Sequence, residues 1–291
     1  EAPGLWARAG LACVLVGLGI KSAIVPAHTW LPDAHGRAPS SISAMLSGVI
    51  IQGVFYAQLR VALGLGFPAR VLGTSLMVIA FLNMTVGNVL ALVQVHTKRM
   101  LAYSTVAQMG YVMFSVGVGL RYALPTAVQA GFFLLLVHAA MKGLAFLCKG
   151  VCHFYEDATL VEELRGTSRR LPLVAVTFTL ALVSLVGIPP LAGFAGKWFV
   201  LAEVLRAGDW FVVAGVVILL ANTLLSLGYY LPLIAALYAP PHPGESAARV
   251  ALSPWMVVPL VLLSAVVLIL GVAPGLGLRW ASEVLIFGGG G

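Results

Sequence analysis

Four ionisable side chains stand inside otherwise apolar stretches of this sequence: Lys21, His138, Lys142 and Lys197. An amine in an apolar surround gives up its proton more readily than one in water, and imidazole titrates near neutrality. Residues of these two types suit the uptake and onward transfer of protons. His138 and Lys142 stand at i and i+4 and share a helix face. Lys197 lies one to two helical turns beyond Pro189-Pro190 in LVSLVGIPPLAGFAGKWF, and Lys21 precedes Pro26 and His28 in GLGIKSAIVPAHTWLPDAH. A backbone break in hydrocarbon is tolerated only beside protein or a water-filled cavity, and a charge at that depth marks function. Two apolar helices, each broken and each with one buried lysine, therefore describe a pathway for charge.

Other polar residues are weaker candidates. Lys149 lies near a helix end and reads first as a side chain stretching to the interface, second as a polar link. Arg60 and Arg206 read as interfacial. Ser104, Thr105 and Gln108 in KRMLAYSTVAQMGY place hydroxyl and amide groups where they could hold water or bond neighbouring backbone. His28, Asp33 and His35 around WLPDAH could ligate a metal, but a capped re-entrant turn explains them better. Cys148, Cys152 and His153 are better packing residues than ligands, and Cys13 completes three cysteines with no disulfide framework. Phosphate-binding loops, dinucleotide fingerprints and iron–sulfur cysteine patterns are absent from the sequence.

The elements that carry these residues are membrane helices. Of 291 residues, 60% are hydrophobic and 9% charged, a composition that excludes a soluble domain. The net charge of +7 is scattered one or two residues per loop, which points away from nucleic acid and towards basic loops on one membrane face. A spanning length of roughly 20 residues gives about eight transmembrane helices. The first runs over 5–24 and continues past Pro26 toward His35; Ser40 or Ser41 caps the second, 42–65. Others span 71–95, 100–120 and 126–154. The broken sixth covers 172–206, and 210–238 and 255–272 complete the set. Loop charge puts the HGRAPSS hinge and the YEDATLVEELRGTSRR loop on the cytoplasmic side. The Lys-plus-Pro design of the first and sixth helices hints at internal duplication. A chain opening at Glu1, directly before a membrane segment, is expected to be part of a longer protein.

KSAIVPAHTWLPDAH followed by APSSISAMLSGV, then TKRMLAYSTVAQMGY, HAAMKGLAFLCKG and VGIPPLAGFAGKW, resemble in order four blocks of the antiporter-like proton-translocating subunits. These occur in respiratory complex I, in Mrp-type cation/proton antiporters and in membrane-bound [NiFe] hydrogenases. The AHGRAPSSISAMLSG wording is closest to the hydrogenase and Mrp branch. The resemblance implies an all-α integral membrane protein, the carboxy-terminal part of a fourteen-helix inverted-repeat fold. By that template residues 1–66 hold the last two helices of the first repeat, 67–240 the second repeat, and 241–291 a trailing helix and tail. The first six helices, with the glutamate that partners the position of Lys21, fall to another chain or to the rest of a longer one.

The same resemblance implies a proton relay of Lys21, His138, Lys142 and Lys197; read from the residues themselves, His28, Ser47, Gln52, Ser104 and Lys149 are further candidate polar links. Ser47 and Gln52 stand where relatives often carry histidine and lysine, so the line is expected to have a gap there. The implied function is proton translocation within a redox-driven respiratory or hydrogenase-type complex in an energy-transducing, prokaryotic cytoplasmic membrane. No cofactor is expected in this chain; iron–sulfur clusters, flavin or a [NiFe] centre belong to partner subunits. Partners include antiporter-like paralogues, the missing amino-terminal half and the lipid bilayer. A Na⁺/H⁺ antiporter subunit of an Mrp-type complex and a non-conducting scaffold subunit are the alternatives.

Overall fold

A computed structural model describes residues 5–243 and 248–286, with side chains for 10, 12–243 and 248–283. Glu1 and the tail beyond 286 lie outside the described residues. Apolar runs with no water to satisfy their backbone fold as helices: α1 (Leu5–Lys21), α2 (Trp30–Arg37), α3 (Ser40–Gly64), α4 (Ala69–Leu92), α5 (Thr97–Tyr122) and α6 (Pro125–Glu156). They are followed by α7 (Pro172–Val186), α8 (Ala192–Val204), α9 (Trp210–Tyr238), α10 (Pro254–Val272) and α11 (Gly275–Ile286). Among the described residues six helices are long and apolar enough to cross a membrane: α3, α4, α5, α6, α9 and α10. The apolar stretches Ala12–Lys21 and Pro172–Val186, each ending at a break, are shorter, so six spans stand where about eight were expected. The chain is an all-helical integral membrane protein.

Helix ends differ from expectation where local chemistry decides them. Neither Ser40 nor Ser41 caps α3: Pro39 holds the cap position and the helix opens on Ser40 with no side-chain cap. Within α3, Leu46–Ile50 is π-helical. Such a bulge inserts a residue and re-aims the side chains around it. At the other extreme Asp209 caps α9, accepting from Phe211 N at 2.8 Å. A hydrogen bond from Tyr122 Oη, reinforced by that from Phe211, holds the Asp209 carboxyl below the ordinary carboxylate range.

The centre of the fold is α5, buried on nearly all sides, lying against α4 and α6. α6 in turn is packed by α3, α7, α8, α10 and α11. Outer faces of α1, α3, α4, α9 and α10 expose large apolar residues such as Val16, Val49, Val89, Leu224 and Leu262, as lipid- or subunit-facing surfaces do. The 157–170 loop is tied down by ions. Arg170 Nε meets Glu156 Oε1 at 2.6 Å, and Thr167 donates to the same carboxylate. Glu163 gathers Thr159 N and Leu160 N, and these backbone donors hold its carboxyl below the ordinary range.

The two breaks are closed by different means. At the first, Asn83 of α4 reaches across: its Oδ1 accepts from Val25 N at 2.9 Å and its Nδ2 donates to Ala23 O. Trp30 Nε1 donates to Ile20 O. Lys21 takes no part, and it is exposed on the outer face of α1 rather than buried as expected. That face also carries exposed Val14, Val16 and Ile20. A proline after Lys21 breaks the helix just beyond the lysine, leaving its side chain at the outer edge of this chain.

At the second break the lysine is part of the closure. Gly187 ends α7 in the left-handed region, φ +96°, and Gly193 N donates to Ser184 Oγ at 3.0 Å. A Cβ on Gly193 would stand 1.7 Å from Ser184 O, so only glycine lets α8 start this close to α7.

Candidate functional site

Helix ends leave carbonyls without intrahelical donors. The two at the end of α7, Leu185 O and Val186 O, are taken by Lys197 Nζ at 3.0 and 2.9 Å, reaching back from α8. A cation against a helix carboxy terminus also opposes the negative end of the helix dipole. Lys197 is 6% exposed, and its Nζ lies 5.0 Å from the ring centroid of Tyr111. Gln108 of α5 donates to Leu185 O as well, at 3.1 Å. One turn earlier on α5 comes Ser104, to which Lys142 Nζ donates.

Lys142, fully buried on α6, also donates to Leu101 O at 2.8 Å. That carbonyl collects Ser104 Oγ and Thr105 Oγ1 too, at 2.8 and 3.1 Å. The spacing 101, 104, 105, 108 is a single stripe along α5, and it joins the surroundings of Lys142 to those of Lys197. The face of α5 thus bonds Lys142 directly and reaches Lys197 only through the shared Leu185 carbonyl.

From Thr105 the chain of polar groups continues outward. Ser47 Oγ lies 3.0 Å from Thr105 Oγ1 and 3.1 Å from His35 Nε2. The His35 ring stacks on Phe146 with centroids 4.6 Å apart. Gln52 Nε2 donates to Ser47 O at 3.3 Å and lies 2.9 Å from His138 Nδ1. A carbonyl only accepts, so the Gln52 atom facing Ser47 O is its nitrogen. His138 Nδ1 must then accept, which leaves the ring proton of neutral His138 on Nε2.

Ser47 and Gln52 are thus bonded into the cluster around His138, while among the described residues no hydrogen bond joins that cluster to Lys21. These two uncharged residues are what join His35, Thr105 and His138, because the π-helical stretch of α3 carries Ser47 against α2 and α5 while Gln52 faces α6. His35, read from sequence as part of a hinge, is a member of the cluster; no local sequence signal pairs it with a serine twelve residues on. Buried groups without a protein partner, among them His138 Nε2, His35 Nδ1 and Gln108 Oε1, are of the kind ordered water satisfies.

His28 is buried beside Tyr103 with neither ring nitrogen bonded to protein, and stands apart from the cluster. Lys149 does not stretch to the surface: it is 1% exposed and donates to Ala158 O in the following loop. Arg60 and Arg206 are exposed, as expected.

Replacing Gln52 by leucine should cost about 1–3 kcal/mol of stability, the price of leaving His138 Nδ1 unbonded. A thermal melt checks it; an unchanged midpoint would show that this bond carries no stability.

The chain is similar to known proteins over most of its length. Residues 5–226 match the family described as NADH:quinone oxidoreductase/Mrp antiporter, TM. Over 278 residues the chain is 38% identical to NADH-quinone oxidoreductase subunit 14 of Thermus thermophilus, covering 94% of this chain and 60% of that protein. The fold is similar to a chain of the Mrp complex from Dietzia sp., with TM-score 0.84, 25% identity and coverage of 95% here and 58% there. It is also similar to a chain of the membrane-bound sulfane sulfur reductase, an archaeal respiratory membrane complex, with TM-score 0.81, 28% identity and coverage of 94% and 54%. The chain spans between 54% and 60% of the length of the first curated relatives it matches.

Proposed function

This chain belongs to the NADH:quinone oxidoreductase/Mrp antiporter family of membrane subunits, and from that premise we propose that it translocates protons as one subunit of a redox-driven complex. Lys142 and Lys197 are the stations that load and release protons. His138, Gln52, Ser47, His35 and Thr105 form one arm of the relay, and Ser104 and Gln108 join the two lysines along α5. The observation that carries this reading is that α5 reaches both buried lysines: Ser104 accepts from Lys142, and one turn on Gln108 donates to the same Leu185 carbonyl that Lys197 binds.

Lys21, at the outer edge, is the station facing the half of the fold that relatives have and this chain does not span. On this reading residues 1–66 close the first repeat, 67–240 form the second and 241–291 trail it. His28 and Lys149 are outlying polar links. The chain holds no redox centre; the iron–sulfur clusters, flavin or [NiFe] centre of the complex reside in neighbouring subunits, and antiporter-like paralogues flank it. Its place is the cytoplasmic membrane of a prokaryote, with the HGRAPSS hinge and the 157–170 loop on the cytoplasmic side.

The test is redox-driven acidification in vesicles carrying the assembled complex with Lys197→Ala. Flux should fall at least tenfold, with electron transfer retained or slowed; wild-type pumping would refute the relay. A sodium-driven Na⁺/H⁺ exchanger is the second reading, favoured by the TM-score of 0.84 to the Mrp chain. Sodium-dependent pH changes in vesicles given no electron donor would select it. Coupling left intact when Lys197 and Lys21 are both replaced by methionine would select a non-conducting scaffold.

A further inference from the structure

Away from the relay, a cavity of about 810 Å³ opens where the ends of three long helices meet. The first turn of α5 supplies Lys98 and Arg99, and the last turns of α6 supply Lys149 through Phe154. The first turns of α10 supply Trp255 to Leu260, and the α2–α3 hinge supplies Arg37 and Ser40. Ends of crossing helices sit at the level of lipid headgroups, so this cavity faces the boundary between water and hydrocarbon.

Its lining divides by chemistry. Arg37, Lys98, Arg99 and Lys149 are on one side, with no aspartate or glutamate in the lining. Lys98 and Lys149 donate to the carbonyls of Ala38 and Ala158, which cancels no charge. Arg99 meets Asp33 at 2.9 Å, at a site 42% and 65% exposed. Arg37 is exposed and makes no ion pair among the described residues. Asp33 thus offsets Arg99, and Asp157 and Glu163 bear on Lys149, which leaves Arg37 and Lys98 as the cations without a carboxylate partner among the described residues. Apolar lining comes from Leu147 and, on α10, Met256, Pro259 and Leu260. Trp255, 88% exposed at the start of α10, is placed as interfacial tryptophans are.

We propose that this cavity binds an anionic phospholipid, its phosphate against Arg37 and Arg99 and an acyl chain along the apolar wall of α10. Basic pockets between helix ends on the cytoplasmic side hold anionic headgroups in this manner. A zwitterionic lipid would bring an ammonium group for which the lining has no carboxylate. A free phosphate would satisfy the arginines but leave the apolar wall without an occupant. The inference rests on the membrane topology and the cavity, and stands whether or not the lysines carry protons.

The experiment uses the intact complex in nanodiscs of phosphatidylcholine alone and of phosphatidylcholine mixed with phosphatidylglycerol. Lipid retained is read by native mass spectrometry, and the thermal midpoint is read alongside. Phosphatidylglycerol should be retained and should raise the midpoint. Arg37→Gln should lower that retention about fivefold, the loss expected for one cation near an anionic headgroup. Trp255→Ala should lower retention without removing its salt dependence. The Arg37 side chain makes no hydrogen bond or ion pair among the described residues and Trp255 is exposed, so neither change threatens folding. Retention unchanged in both variants overturns the proposal, as does equal retention of phosphatidylcholine. Inorganic phosphate raising the midpoint as far as phosphatidylglycerol does would make the site one for a free anion and overturn the lipid.

Discussion

Replacing Lys142 by arginine should abolish proton translocation, a fall of at least tenfold, while the complex still assembles. Arginine keeps the positive charge and can donate to Leu101 O and Ser104, but it does not give up its proton in a protein. A lysine that serves only as a fixed charge would tolerate this exchange. One that must release a proton would not. Lys142→Ala should stop flux as well and in addition cost about 1–3 kcal/mol, since a buried hydroxyl and carbonyl lose their strongest donor. Acidification by pH-sensitive dye in vesicles, with blue-native electrophoresis for assembly, separates the two losses. An arginine variant that pumps like the wild type would show that Lys142 never needs to be neutral.

The second large effect falls on stability. Gly193→Ala would place a methyl 1.7 Å from Ser184 O, a contact that only a backbone shift relieves. Overpacking a tight site costs about 1–3 kcal/mol, and more when the backbone itself is the obstacle. A shift of α8 would also carry Lys197 away from the carbonyls of Leu185 and Val186. The variant should therefore melt several degrees lower and lose flux together. Full flux in a destabilised variant would show that the placement of Lys197 is looser than its two hydrogen bonds imply.

The parts of this molecule that were legible in sequence are those governed by hydrocarbon. Runs such as Trp210–Tyr238 read directly as helices because nothing else satisfies their backbone in lipid. Lys142 and Lys197 could be singled out because a charge in such a run is costly enough to need a reason. The pairing of uncharged groups was not legible. Ser47 and Gln52 lack titratable atoms and so looked like an interruption, yet hydrogen bonding needs no charge, and the π-helical turn that places Ser47 leaves no mark in residue types. His35 stayed hidden for a similar reason, since its partners lie on α3 and α6. Lys21 misled in the other direction. Its local sequence matches that of a buried lysine, but burial depends on neighbours that residue types do not reveal, and Lys21 stands exposed on α1.

Lys197 holds two carbonyls with an amine that has three N–H bonds when protonated and two when neutral. Two are enough. The tie between α7 and α8 therefore has the donors it needs in either state, and the group that changes is the third hydrogen, or the lone pair that replaces it, on the side of Gly187 and Tyr111. A proton arriving at or leaving this nitrogen would not loosen the joint, so the fastening of α7 to α8 places no bar on the role proposed for Lys197.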